Sequence, residues 1–211
     1  MHRMKPLPGY LVQRYRGWKA TTFEENAAWY RNLAEAGQHP RTMVISCCDS
    51  RVHVTAIFGA DQGEFFIHRN VANLVPPYTP DGDHHGTSAA VEYAVKTLKV
   101  GDLIVLGHTN CGGVKACHDR CVTGEKIESD FVGRWLEILE PRWPNVKDLP
   151  ADERVKAFEH EAVLVSLENL LGYPFVAEAV DAGRLGVHGA ITDIGEGHLS
   201  VYDYDKGFQQ L

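Results

Sequence analysis

The sequence predicts an α/β fold: a mainly parallel central β-sheet flanked by helices, with an N-terminal helical arm. Three observations carry this. Met43-Val44-Ile45, Phe65-Phe66-Ile67 and Leu103-Ile104-Val105-Leu106 are short, apolar, β-prone runs, as expected of strands buried on both faces. Segments of helical period separate several of these runs, the pattern of strand–helix–strand units. Hydrophobic residues make up 44% and charged residues 23% of the 211, a balance that supports one sizeable core with a hydrated surface. No internal repeat or linker interrupts the chain, so residues 1–211 read as a single domain with 1–36 as arm and first helix.

Taken in order, residues 1–20 mix Pro6, Pro8 and Gly9 with His2, Arg3, Lys5, Arg14, Arg16 and Lys19, and read as a solvated arm. Thr22-Phe23-Glu24-Glu25 has the capping-box pattern of a helix start, a hydroxyl followed three residues later by a carboxylate. Phe23, Ala27, Trp29, Tyr30 and Leu33 continue at helical spacing, and Gly37 is a stop. After the first two strands, Pro76 to Gly86 is a loop whose His84 and His85 read as solvated side chains. Ala89 to Val95 is helical, and Gly101 closes that unit before the third strand. Gly112-Gly113 opens a short helix, 130–140 forms another ended by Pro141, and 152–171 is a long helix stopped at Gly172. Val187 to Ile194 and Leu199 to Tyr204 read as strands joined by a turn at Gly195-Glu196-Gly197.

Bulk properties exclude several functions. Twenty-one basic against 28 acidic residues give a net charge of -7, which argues against a nucleic-acid surface. No apolar stretch reaches the length of a membrane span, and the N-terminus lacks the apolar core of an export signal. Five cysteines, an odd number, then read as thiols or ligands in a reducing, cytoplasmic setting.

Two clusters carry the chemistry. Cys47-Cys48-Asp49-Ser50-Arg51 follows the first apolar run, and His108-Thr109-Asn110-Cys111-Gly112-Gly113 follows the third. Both lie past the carboxyl end of an expected strand, where ligands of such sheets sit, provided those two strands pair. Cys47, His108 and Cys111 supply two thiolates and an imidazole, the ligand set of a catalytic zinc whose fourth position stays open. In an extended chain Cys47 and Asp49 share a face, so Cys47 is the expected ligand and Cys48 a packed thiol. Cys117, His118 and Cys121 read as an ordinary helix face.

Charge counting gives the acid a purpose. Two thiolates cancel the charge of Zn(II), so water at such an ion is acidified less than at a three-histidine site, where its pKa falls to about 7. A nearby acceptor that orients that water is then useful, and Asp49 is placed for it. Arg51 can hold Asp49 by paired hydrogen bonds and keep it from occupying the open position. A structural ion pair accounts for this spacing equally well.

Together these motifs resemble the β-class carbonic anhydrases, recognised by Cys-x-Asp-Ser-Arg followed by His-x-x-Cys-Gly-Gly. The similarity extends through residues 63–66, 69–78, 92–95, 161–163 and 170–176, most of the chain after about residue 35. It implies reversible hydration of carbon dioxide to bicarbonate, with Zn2+ on Cys47, His108 and Cys111 and the Asp49–Arg51 dyad beside it. In the plant-like branch it also implies a substrate pocket of Gln38, Phe66, Val71 and Tyr93, helped by the Gly112 amide. The family's homodimer, often assembled further into tetramers, would use the N-terminal helices to embrace the partner. A bicarbonate-inhibited branch carries a Trp, an Arg and a Tyr where this chain has Val44, Arg69 and Thr192, so the resemblance implies an ungated site with Asp49 off the metal. Two alternatives stand beside this: hydrolysis of carbonyl sulfide or carbon disulfide at the same residues, distinguished by hydrogen sulfide release, and a non-catalytic zinc or redox-sensing module, favoured by the extra thiols Cys48, Cys117 and Cys121.

Overall fold

The computed structural model describes residues 4–81 and 85–211, so the readings of His2, Arg3 and His84 fall outside the described residues. The chain divides into two compact units, Met1–His39 and Pro40–Leu211.

Among its described residues, the first unit is mostly helical between Gly9 and Ala36. Residues expected to form an arm instead make helix α1, Gly9–Trp18, preceded by Pro8 in an extended conformation. Leu11, Tyr15 and Trp18 recur at helical spacing there, and Arg14 lies over the Tyr10 ring one turn away. The capping-box reading of Thr22 is also corrected. Lys19–Phe23 continues α1 as a π-helical turn, and Asn26 Nδ2 donates to the Thr22 carbonyl. Helix α2, Ala27–Ala36, follows and stops at Gly37, whose φ of 75° favours glycine. Rings of Trp18, Phe23 and Tyr30 pack together at 5.1 to 5.7 Å, yet neither helix contains a buried residue.

The second unit is a six-stranded sheet flanked by helices. Its strands are β1 (Thr42–Cys47), β2 (Phe65–Asn70), β3 (Asp102–His108), β4 (Gly186–Thr192), β5 (Leu199–Asp203) and β6 (Gly207–Gln210), in the spatial order 2-1-3-4-5-6. The first four are parallel, and β5 and β6 pair antiparallel beyond them, so the sheet is mixed. Each expected strand is present; β6 had no clear signal in the sequence. The central strands are buried on both faces. Met43 and Ile45 enter one core cluster with Leu103 and Val105, while Val44 joins Leu106 and Ala190 in another.

The helices of this unit are α3 (Val54–Ile57), α4 (Gly86–Glu92), α5 (Gly112–Thr123), α6 (Val132–Leu136), α7 (Ala151–Leu171) and α8 (Pro174–Asp181). Residues 130–140 are not one helix. After α6, a 3-10 helix over Glu140–Asn145 has Pro141 in its first turn, where a missing amide costs little, so Pro141 begins an element and does not end one. Helix α7 runs close over the sheet because Gly107 leaves room for it. A Cβ there would lie 2.8 Å from Val163 Cγ2. Among the described residues, no single helix is long and apolar enough to cross a membrane.

Candidate metal centre

The sheet order places the two sequence clusters together. The chain steps from β1 to β2 on one side and then to β3 on the other, so the strand order reverses between β1 and β3, where such sheets bind ligands. These strands pair in register from Thr42–Asp102 to Ser46–Leu106, and their carboxyl ends bring Cys47 and His108 side by side. Cys111 arrives through a tight turn in which Asn110 adopts a left-handed φ of 57°. Helix α5 starts immediately afterwards. A Cβ on Gly113 would lie 2.8 Å from Val71 Cγ1 and 3.1 Å from Ala72 Cβ, so glycine is what lets α5 approach this closely.

One potential ligand atom from each of Cys47, His108 and Cys111 lies within 4.8 Å of the others, and all three residues are buried. His108 Nδ1 is 2.9 Å from the Thr109 carbonyl. A carbonyl only accepts, so Nδ1 carries the proton and Nε2 presents a bare lone pair. That Nε2 is buried with no hydrogen-bond partner, as a metal-ligating imidazole requires. The Cys47 and Cys111 sulfurs are 3.9 Å apart. Their contact lowers the Cys47 thiol to about 4, against burial, with help from the Asp49 and Ala72 amides. The same contact, with burial, pushes Cys111 up, while the Val114 and Gly113 amides oppose it. Two sulfurs thus share one proton where a soft divalent cation would accept both as thiolates. The donor set fits zinc.

Asp49 and Arg51 stand beside this triad. Arg51 donates to Asp49 Oδ1 from its backbone amide at 3.0 Å and from Nε at 2.9 Å, and to Oδ2 from Nη2 at 2.7 Å. These bonds hold the Asp49 carboxyl well below the usual range. Arg51 is itself tied to the other cluster through the Asn110 carbonyl at 3.0 Å. Asp49 Oδ2 lies 3.9 Å from His108 Nε2, at the edge of the triad.

The remaining expected site residues are distributed. Phe66 and Tyr93 face each other with ring centroids 5.8 Å apart; Phe66 packs on the core cluster of Met43 and Ile45 and not on that of Cys47 and Cys111, while Tyr93 is exposed. Val71 touches the start of α5, and its carbonyl accepts from the Trp135 indole. Gly112 opens α5, so its amide has no acceptor within the helix. Gln38 lies in the first unit and is exposed. Cys48 is not packed as expected. Its amide bonds the Asn70 carbonyl, continuing the β1–β2 ladder one residue, and its side chain is exposed. Cys117 bonds the Leu136 carbonyl and His118 bonds Asp119, in keeping with an ordinary helix. Among the described residues, Cys47, His108 and Cys111 are the only three-ligand group.

The sequence reading missed Glu159 on α7. It is 4% exposed, its Oε1 accepts from the Cys111 amide at 2.9 Å, and burial raises its carboxyl to about 7. A signal existed: Glu159 shares the buried stripe of Phe158, Ala162, Val163 and Ser166, where an acid needs a partner.

A family model described as carbonic anhydrase matches residues 42–199. Beta carbonic anhydrase 3 of Arabidopsis thaliana is 36% identical over 192 residues, covering 89% of this chain and 74% of that protein. Among solved structures, the beta-carbonic anhydrase CcaA superposes with a TM-score of 0.86 at 30% identity, covering 96% of this chain and 91% of its own. A tetrameric beta-carbonic anhydrase of the filamentous ascomycete Sordaria macrospora gives 0.79 at 30% identity, covering 91% and 94%.

Proposed function

This chain belongs to the β-class carbonic anhydrases, and we propose that it catalyses the zinc-dependent, reversible hydration of carbon dioxide to bicarbonate and a proton. The observation that carries the proposal is the convergence of Cys47, His108 and Cys111, with an Arg51-bound Asp49 at their edge. Zinc held by those three residues supplies the Lewis acidity that lowers the pKa of water. Asp49 is the acceptor that orients the reacting water, and Arg51 fixes its direction. Because Arg51 occupies both Asp49 oxygens, Asp49 stays off the metal at neutral pH, in keeping with Val44 on β1 and Thr192 on β4, both buried and uncharged. Phe66, Val71 and Tyr93 provide apolar surface suited to a substrate without a net dipole, and the Gly112 amide provides a donor for a bicarbonate oxygen.

The working form is a homodimer or an assembly of dimers, with the 1–36 segment of an otherwise single catalytic domain packing on the partner. Helices α1 and α2 with no buried residue support this, as do Tyr10, Trp18 and Trp29 left exposed. Five free cysteines suit a reducing, cytoplasmic setting. Stopped-flow hydration of carbon dioxide tests the reading. Wild type turns over, and Cys47→Ser loses both zinc and activity. If Cys47→Ser matches wild type in both, the metal site is wrongly assigned.

A further inference from the structure

Arg69, on the edge strand β2, forms no ion pair among the described residues. Its register partner on β1 is Ser46, which places its guanidinium beside the loop that leaves β1. There it donates from Nε to the Cys47 carbonyl at 2.8 Å, and from Nη2 to the Asp49 carbonyl at 2.7 Å and the Val52 carbonyl at 2.9 Å. The loop spans a metal-ligand candidate and both members of the dyad. Three of its carbonyls therefore converge on one cation, which is an unusual use of an exposed arginine.

From this we infer that Arg69 is a positioning residue for Asp49, the hub around which the Cys47–Val52 loop is wound. The inference rests on the proposed role of Asp49. The Asp49–Arg51 fork joins residues two apart on the same loop and is tied to the turn after β3 by one bond, from Arg51 to the Asn110 carbonyl, so it does not by itself fix the loop to β1 and β2. Val52 is buried and its amide closes a turn on the Asp49 carbonyl, while the Cys48 amide bonds Asn70; these hold the ends of the loop. The carbonyls of 47, 49 and 52 point inward at a common place. Without a cation there, their partial negative charges oppose one another and two of them lose a protein donor. The loop then relaxes outward and carries the Asp49 carboxylate with it. A lysine preserves the charge but not the planar fork that serves three acceptors at once.

A misplacement of about 1 Å at a reacting group costs about 10²-fold in rate, which sets the expected effect. Arg69→Lys and Arg69→Ala are compared with Asp49→Asn and with the double variants, for zinc content and for carbon dioxide hydration. The expected result is one zinc per chain, kcat reduced about 100-fold in Arg69→Ala, and partial recovery with ethylguanidinium but not ethylammonium. The double variant Arg69→Lys/Asp49→Asn should be no slower than Asp49→Asn alone, because Arg69 acts through Asp49. A crystal structure of Arg69→Lys should show the Asp49 carboxylate displaced. Full activity in both Arg69 variants, or losses that add to that of Asp49→Asn, would overturn the inference. If Asp49→Asn itself is fully active, the proposed function fails instead, so the two failures are distinct.

Discussion

Asp49 takes three hydrogen bonds from Arg51, one from its amide and two from its guanidinium, and the acid stays ionised because of them. An acid so depressed does not titrate in the working range, so it serves as a permanent acceptor and not as a switching base. Asp49→Asn keeps the shape but removes the charge. We expect its kcat to fall by about 10²- to 10⁴-fold with zinc content unchanged, measured by stopped flow and metal analysis. A loss of zinc in that variant would make Asp49 a ligand instead. At this scale the sequence was informative where a residue's role depends on near neighbours. Strand alternation selected Cys47 over Cys48, and the 47-49-51 spacing anticipated the fork. Residues whose partners are distant in sequence stayed hidden: Arg69 reaches back 17 to 22 residues and Glu159 reaches back 48.

Helix α7 connects the core to the candidate metal centre, since Glu159 on its buried stripe accepts from the Cys111 amide. Glu159→Ala leaves that buried amide without its partner and frees the turn carrying Cys111. Such outer partners commonly contribute 10- to 100-fold in metal affinity, so a chelator-competition titration should show zinc binding weakened by about that factor. One residue on, His160 packs on Phe208 of β6 with ring centroids 4.4 Å apart, and burial, assisted by Lys156, lowers its pKa from 6.5. The sign follows directly. Between the lowered folded value and 6.5 the unfolded chain binds a proton that the folded chain refuses, so stability is lost as pH falls through that window. His160→Gln should flatten the fall in urea-melt stability below pH 6.5 relative to wild type. His68, lowered by burial in the same way, keeps some slope in the variant. The elements misjudged from sequence have local causes. Prolines and glycines around residue 9 masked the Leu11-Tyr15-Trp18 spacing of α1, and Pro141 was read as a terminator when it begins a 3-10 turn.

At the scale of the whole molecule, the order 2-1-3-4 puts the switch point between the two strands that end in Cys47 and His108, and a sheet of this order would need little else to assemble the triad. The strand runs were legible because buried parallel strands are continuously apolar. Their order was not, because it depends on crossover connections that no local pattern encodes. The exposed aromatic helices of residues 1–39 leave apolar surface that a partner copy would cover. Light scattering should therefore give at least twice the chain mass of 23.5 kDa, and a monomer at micromolar concentration would contradict the dimer. The central claim is that zinc on Cys47, His108 and Cys111 hydrates carbon dioxide at a site Asp49 does not occupy. Carbon dioxide hydration measured across pH 6 to 9, with zinc counted on the same samples, tests it most directly (roughly the range over which such acids and bases act). The account predicts turnover that rises in proportion to zinc up to one per chain and persists at pH 7. One zinc per chain with no hydration at any pH would contradict it.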